Sequence, residues 1–184
     1  AAMEKAPLGY AAKIRAKIET LLESHYRENF ERWLETERIV CKPYFRLRPS
    51  IHPATYTDIY ARSLYAAEDG DMNKLEQKLI VELTALPNVR WWHRNIARQD
   101  FAINGFIKHY PDILIMTKSG KLICAETKGE HLKNDDSREK ITLGQAWRTA
   151  AGKDFRYYMV FENEENLLPG AVSMSQFIDT VKAL

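Results

Sequence analysis

The stretch PDILIMTKSGKLICAETKG, residues 111–129, reads as two apolar strands joined by a tight turn. Asp112 opens the first strand, and Glu126, Thr127 and Lys128 close the second. Side chains alternate along a strand, so Glu126 and Lys128 point to one face. Lys118-Ser119-Gly120 suits a three-residue hairpin loop with glycine in the left-handed position. Pairing Thr117 with Lys121 then sets Asp112 opposite Glu126, with Cβ atoms about 5 Å apart. Two carboxylates and an ammonium thus converge at one end of a hairpin whose interior is Ile, Leu, Met and Cys.

Two carboxylates this close repel, and one keeps its proton unless a cation lies between them. A hard divalent ion such as Mg²⁺, with Mn²⁺ as a substitute, is the natural occupant. It prefers oxygen ligands and often takes one or two carboxylates plus waters and phosphate oxygens. Lys128 beside it is placed to orient a water or to stabilise charge on a phosphate. The pattern points to metal-assisted phosphodiester hydrolysis.

The rest of the composition sets bounds. A chain of 184 residues, 45% apolar and 28% charged, has ample material for a core and the balance of a soluble globular protein. A net charge of +2 does not by itself announce a nucleic-acid binder. Cys41 and Cys124 have no metal-ligand spacing around them, which fits a reducing, cytoplasmic protein. No apolar run approaches a membrane span and no signal peptide opens the chain, so no membrane partner is expected. The opening Ala1-Ala2-Met3 suggests a piece excised from something larger.

Along the chain, residues 10–37 carry Ile14, Ile18, Leu21, Leu22, Tyr26, Phe30, Trp33 and Leu34 at three- and four-residue steps, which predicts an amphipathic scaffold helix. Residues 39–47 look extended, and Pro43, Pro49 and Pro53 make 48–55 a loop. A short helix is predicted over 58–67. The expected division is a helical adaptor region, 1–70, and a second domain, 71–184. In the latter a helix capped by Asn73 or Asp71 runs to Leu86, where Pro87 stops it. Glu76 projects inside its apolar stripe and Glu82 lies at the edge. A buried carboxylate pairs with a cation or binds a metal, so Glu76 either forms a salt bridge or adds a third carboxylate to the site. Strands are expected at 89–93, at 101–107 with Gly105 as a bulge, in the hairpin, and at 155–161. Helices are expected over 138–151 and 175–184, the last capped by Ser173 or Ser175. This order implies an α/β fold with a mixed sheet.

Pro111-Asp112 and Glu126-Thr127-Lys128 on consecutive strands, after a helix carrying Glu76, resemble the PD-(D/E)xK nuclease superfamily over roughly residues 71–161. LYAAEDGDMNKLEQKLIVELTALPNVRWWHRN at 64–95, YPDILI at 110–115 and ETKGEHLKNDDSREK at 126–140 look like the C-terminal endonuclease region of type III restriction enzymes and related helicase-nuclease proteins. The resemblance implies a restriction-endonuclease-like core, a mixed central sheet flanked by helices, with a mainly helical N-terminal region in addition. It implies Asp112 and Glu126 as metal ligands, Lys128 as the catalytic lysine and Glu76 as a helix-borne acidic ligand. It also implies double-stranded DNA as substrate, with a helicase motor or methyltransferase subunit as further partner. No G-x-x-x-x-G-K-[ST] loop of such a motor occurs here. Gln145 falls where some exonuclease branches place the glutamine of a Q-x-x-x-Y motif, but Thr149 stands in place of the tyrosine.

Lys133, Arg138 and Lys140 follow the motif closely and are candidates to flank a cleft and hold phosphates. The interspersed Asp135, Asp136 and Glu139 also suit an ordinary solvated face. His93, His109 and His131 are either satisfied or surface side chains, or proton shuttles. Of Trp91 and Trp92, one is expected in the core and the other partly exposed. The alternative to a Mg²⁺-dependent endonuclease is a catalytically silent module of the same fold that grips nucleic acid or a partner.

Overall fold

The computed structural model describes residues 7–184. The chain divides into two compact units, Ala1–Val40 and Cys41–Leu184. The first is built on one long helix, α1 (Pro7–Glu35). Its Ile14, Ile18, Leu21, Leu22, Tyr26 and Trp33 are all exposed. The compact division falls before Cys41, so residues 41–70 fold with the larger unit rather than with the helix.

In that unit β1 (Tyr56–Thr57) and β2 (Glu68–Asp69) form a small antiparallel ribbon. Helix α2 (Lys74–Ala85) begins at Asn73, whose side chain caps the backbone of Leu75 and Glu76 while Glu76 returns a bond to the Asn73 N–H. This reciprocal box satisfies amides that a helix start otherwise leaves orphaned. Strand β3 (Val89–Arg94) follows, then a two-residue-per-strand ribbon of β4 (Ile103–Asn104) and β5 (Lys108–His109). The hairpin strands are β6 (Ile113–Thr117) and β7 (Leu122–Lys128). A 3-10 turn at Glu130–Leu132 leads into α3 (Asp135–Ala151), then β8 (Phe155–Phe161), β9 (Val172–Ser173) and α4 (Met174–Lys182).

The main sheet has the order β3-β6-β7-β8-β9. Its first three strands are antiparallel neighbours, whereas β7-β8 and β8-β9 are parallel. The α/β fold with a mixed, five-stranded sheet follows, with helices on both faces. Ile113, Ile115, Ile123, Ala125 and Val160 join Leu79, Ile80, Leu83, Phe177 and Val181 of α2 and α4 in one core. The alternate residues face α3. There Gly144 lets the helix approach so closely that a Cβ would lie 2.1 Å from the Tyr157 ring. Among the described residues no helix is long and apolar enough to cross a membrane.

Two predicted elements take another form. Residues 58–67 are not helical. They form turns and bends, with Arg62 at φ 61° and one isolated bridge from Ser63 to Trp92 of β3: Leu64 N–H donates to Trp92 O, Trp92 N–H donates to Arg62 O, and the Trp92 indole donates to Ala61 O. Pairing that covers the sheet's outer edge outweighs a weak local helix preference. The strand expected over 101–107 is reduced to Ile103–Asn104, because Gly105 closes a turn to Ile107 O. Phe101 instead packs against Phe45 and Trp147.

Candidate active site

The hairpin has the register read from its turn. Ile113 faces Ala125, Leu114 faces Cys124, and Thr117 N–H donates to Lys121 O. Gly120 has φ +83°, the left-handed conformation the loop requires. Asp112 lies one step beyond the ladder, opposite Glu126. Asp112 Oδ2 accepts from the Thr127 N–H at 2.8 Å and from the Thr127 hydroxyl at 3.0 Å. This locks one carboxylate across the strand end.

Glu126 is buried and its two oxygens differ. Oε1 meets Lys128 Nζ at 2.9 Å and Lys140 Nζ at 3.8 Å. Oε2 is buried without a hydrogen-bond partner. His109 Nε2 lies 3.9 Å from it, and that nitrogen is bonded to Tyr157 Oη at 2.9 Å. Burial first, and then the charge of Asp112, push the Glu126 carboxyl up to about 8, against the pull of Lys128 and Lys140. Burial and the two lysines push His109 down to about 3, so its ring is neutral. Lys128 moves up: burial opposes its charge, but Glu126 and Asp112 outweigh it.

Glu76 reaches the same end of the sheet from α2. Its Oε1 is 3.1 Å from the Arg94 guanidinium, and its Oε2 accepts from the Asn73 N–H. Arg94 also donates to Asp112 O at 2.8 Å and lies 3.6 Å from Asp112 Oδ1. The salt-bridge alternative for Glu76 is therefore the one present, and its carboxyl is raised by burial despite Arg94. Alternation explains the separation: Arg94 pairs with Ile113 and so faces α2, whereas Glu126 shares the α3 face with Cys124. Among the described residues no group of three His, Cys, Asp or Glu side chains is spaced to hold a metal ion.

No family model, curated protein or solved structure matches this chain. The site's chemistry therefore rests on its own geometry.

That geometry sorts the remaining candidates. Lys140, from α3, bridges Asp136 at 2.9 Å and approaches Glu126. Lys133 pairs with Glu130 at 2.6 Å, and Arg138 pairs with Asp135 at 3.5 Å. Gln145 is half-buried one helix turn beyond Ile141. His131 lies exposed in the 3-10 turn. Trp92 is buried and Trp91 partly exposed, the alternation expected of a strand. His93 is buried between Glu68 and Asp100, its Nδ1 2.7 Å from Glu68 Oε2 and its Nε2 3.3 Å from Asp100 Oδ2. Arg94 and Tyr157 are site residues that periodicity did not single out. The sequence signal for Arg94 was a charged residue directly after the Trp91-Trp92-His93 run.

Proposed function

We propose that Cys41–Leu184 is a metal-dependent nuclease unit of the restriction-endonuclease-like, PD-(D/E)xK kind, hydrolysing phosphodiester bonds of double-stranded DNA. The observation that carries this reading is the hairpin end itself. Asp112 and Glu126 are set opposite one another with Lys128 on the same face, and a buried Glu126 oxygen lacks any partner. A buried unsatisfied carboxylate oxygen is costly to keep for structure alone.

The residues fit a hard cation. Glu126 Oε2 makes no hydrogen bond, and Asp112 Oδ1 has only the long contact to Arg94. Both are oxygen donors of the type Mg²⁺ or Mn²⁺ selects. Asp112 and Glu126 would hold the ion, and Glu76 would act through Arg94. Such an ion supplies Lewis acidity toward a phosphoryl oxygen and an acidified water. The chain's own residues do the remainder. Thr127 fixes the rotamer of Asp112 through two hydrogen bonds. Lys128, held by Glu126, places a positive charge where a phosphate would gain negative charge. Lys140 adds a second ammonium from α3. The free cysteines support a reducing, cytoplasmic setting. The exposed apolar residues of α1 support its use as an adaptor to a motor or methyltransferase subunit.

One observation favours the silent binding module instead: Arg94 already stands as the cation between Glu76 and Asp112. The two readings part in one experiment. Supercoiled plasmid is incubated with Mg²⁺ or Mn²⁺ and wild type, Asp112→Asn or Lys128→Ala, beside calorimetric titration of Mn²⁺ into each protein. The nuclease reading expects nicking and Mn²⁺ binding by wild type, with nicking lost in both variants. Equal nicking by all three, or no Mn²⁺ binding by wild type, rejects it.

A further inference from the structure

Two cavities flank residues 42–47, and they share Tyr44, Phe45 and Phe101 as a common wall. The first, about 250 Å³, is apolar and is floored by Trp91, Leu114, Met116, Leu122 and Phe155. It falls below the ~300–1,000 Å³ of pockets for drug-sized ligands, so it suits one ring system rather than a whole cofactor. The second, about 290 Å³, is rimmed by Lys42, Arg98, Lys108 and Tyr110. Lys42, Arg98 and Lys108 make no ion pair with any described residue. Asp100, the one acidic residue of the lining, is already engaged by Arg48 and His93. The second cavity is therefore net positive, while the first is greasy.

The wall between them is aromatic and open. Tyr44 is 83% exposed, an unusual state for a tyrosine beside an apolar cavity. The Lys108 ammonium stands 5.3 Å from the centre of the Tyr110 ring. Strand β5 links this surface to the candidate active site. His109 turns inward toward Glu126, while Lys108 turns outward to the positive cavity. Tyr110 is two residues from Asp112, so their Cα atoms are at most ~7 Å apart.

We infer that these paired cavities form a cleft for an unpaired nucleotide strand, with a base against Tyr44 in the apolar cavity and its phosphates on Lys42, Arg98 and Lys108. This deepens the nuclease reading and rests on it for the strand's role, though not for its binding. Aromatic faces receive bases only when these are out of a duplex stack, and flanking cations track the backbone. A duplex presents only base edges in its grooves. The cleft therefore selects a single-stranded segment, such as a flap or a frayed end, that continues to Asp112.

The test is anisotropy of a fluorescein-labelled oligothymidylate, in EDTA so that nothing is cut, against salt. The proteins are wild type, Tyr44→Ala, Lys108→Ala and Asp112→Asn. Tyr44 and Lys108 are exposed, so both changes leave the fold standing. Tyr44→Ala is expected to weaken binding about tenfold, the scale of one lost base stack. Lys108→Ala is expected to lower the salt slope by about 0.7, one single-strand phosphate contact. Asp112→Asn is expected to bind at least as well as wild type. The inference is overturned if Tyr44→Ala binds like wild type, if Tyr44→Ala weakens binding of a duplex of equal length as much as that of the single strand, or if a polyglutamate peptide of matched charge competes equally. Oligothymidylate binding without any plasmid cleavage would remove the nuclease reading and leave the cleft. Cleavage with wild-type binding by Tyr44→Ala would do the reverse.

Discussion

Two buried acidic clusters lie at neighbouring places in the same unit, and they are finished differently. Around His93 every carboxylate oxygen has a donor. Glu68 Oε1 accepts from the Tyr65 N–H, and Oε2 pairs with His93 and accepts from the Arg94 N–H. Asp100 Oδ1 takes Arg48, and Oδ2 takes the Ile96 N–H and pairs with His93. At the hairpin end Glu126 Oε2 has nothing. A network whose carboxylate oxygens are all engaged specifies and rigidifies a core, even though Arg48 Nη2 in it is buried without a partner. The open one leaves a carboxylate oxygen buried without a donor, a costly arrangement, and this difference underlies the proposed function. Arg94 belongs to both: its backbone closes the first cluster and its side chain spans Glu76 and Asp112.

The comparison breaks most visibly at His93. His93→Ala leaves two carboxylates buried without their shared partner. It is expected to destabilise the protein by ~3–5 kcal/mol in urea unfolding, the scale for half of a buried pair removed. Lys128→Ala should do the opposite. Cleavage is expected to fall by on the order of 10²–10³, the effect of losing one charge-stabilising donor, while the urea midpoint falls less than for His93→Ala, because Lys140 still stands 3.8 Å from Glu126 Oε1. If the two variants trade places in these assays, the assignment of closed and open clusters is wrong.

Smaller effects sharpen the contrast. Gly144→Ala would put a methyl against the Tyr157 ring and disturb the wall that carries His109. Overpacking of that kind costs ~1–3 kcal/mol, read as a lower melting temperature. Glu126→Gln removes a buried carboxylate that lacks a partner on one oxygen. It is expected to raise stability by about 1 kcal/mol in EDTA while abolishing Mn²⁺ binding by calorimetry.

The smallest effect is the pH profile. His93 moves up from 6.5: burial opposes its charge, but the hydrogen bonds to Asp100 and Glu68 outweigh it. Its stabilisation is fully present below its ordinary value and is lost as pH rises through the raised one. Asp100 moves down from 3.8: burial resists, but His93, the Ile96 amide and Arg48 prevail. Its share is present above the ordinary value and is lost as pH falls through the lowered one. Unfolding free energy in denaturant titrations should therefore peak between these two ordinary values. His93→Gln should flatten the alkaline side.

What was legible in the sequence was local. The hairpin register followed from a three-residue turn and a period of two, so Asp112, Glu126 and Lys128 could be placed together before any fold was known. Strand β8 and the Ser173 cap of α4 were equally local signals. What was not legible depended on partners distant in the chain. Residues 58–67 are turns and bends rather than a helix because residues 61–64 bond to Trp92 at the edge of β3. Glu68 and Asp100 meet through His93, which stands 25 residues from one and 7 from the other. Glu76 could be recognised as a buried acid but not assigned its partner, since Arg94 arrives from the next strand.

The parallel pairing of β7 with β8 has a consequence for how the molecule assembles. The β6–β7 hairpin closes through a short loop, on the microsecond scale of such elements, whereas β8 must wait for the whole α3 crossover to be laid down. Asp112 and Glu126 are therefore expected to meet early, before α3 and β8 close over the pair. Closure of α3 and β8 over Glu126 is therefore the folding step expected to slow as pH rises through about 8, where burial and Asp112 oppose ionisation of its carboxyl; stopped-flow refolding against pH checks this.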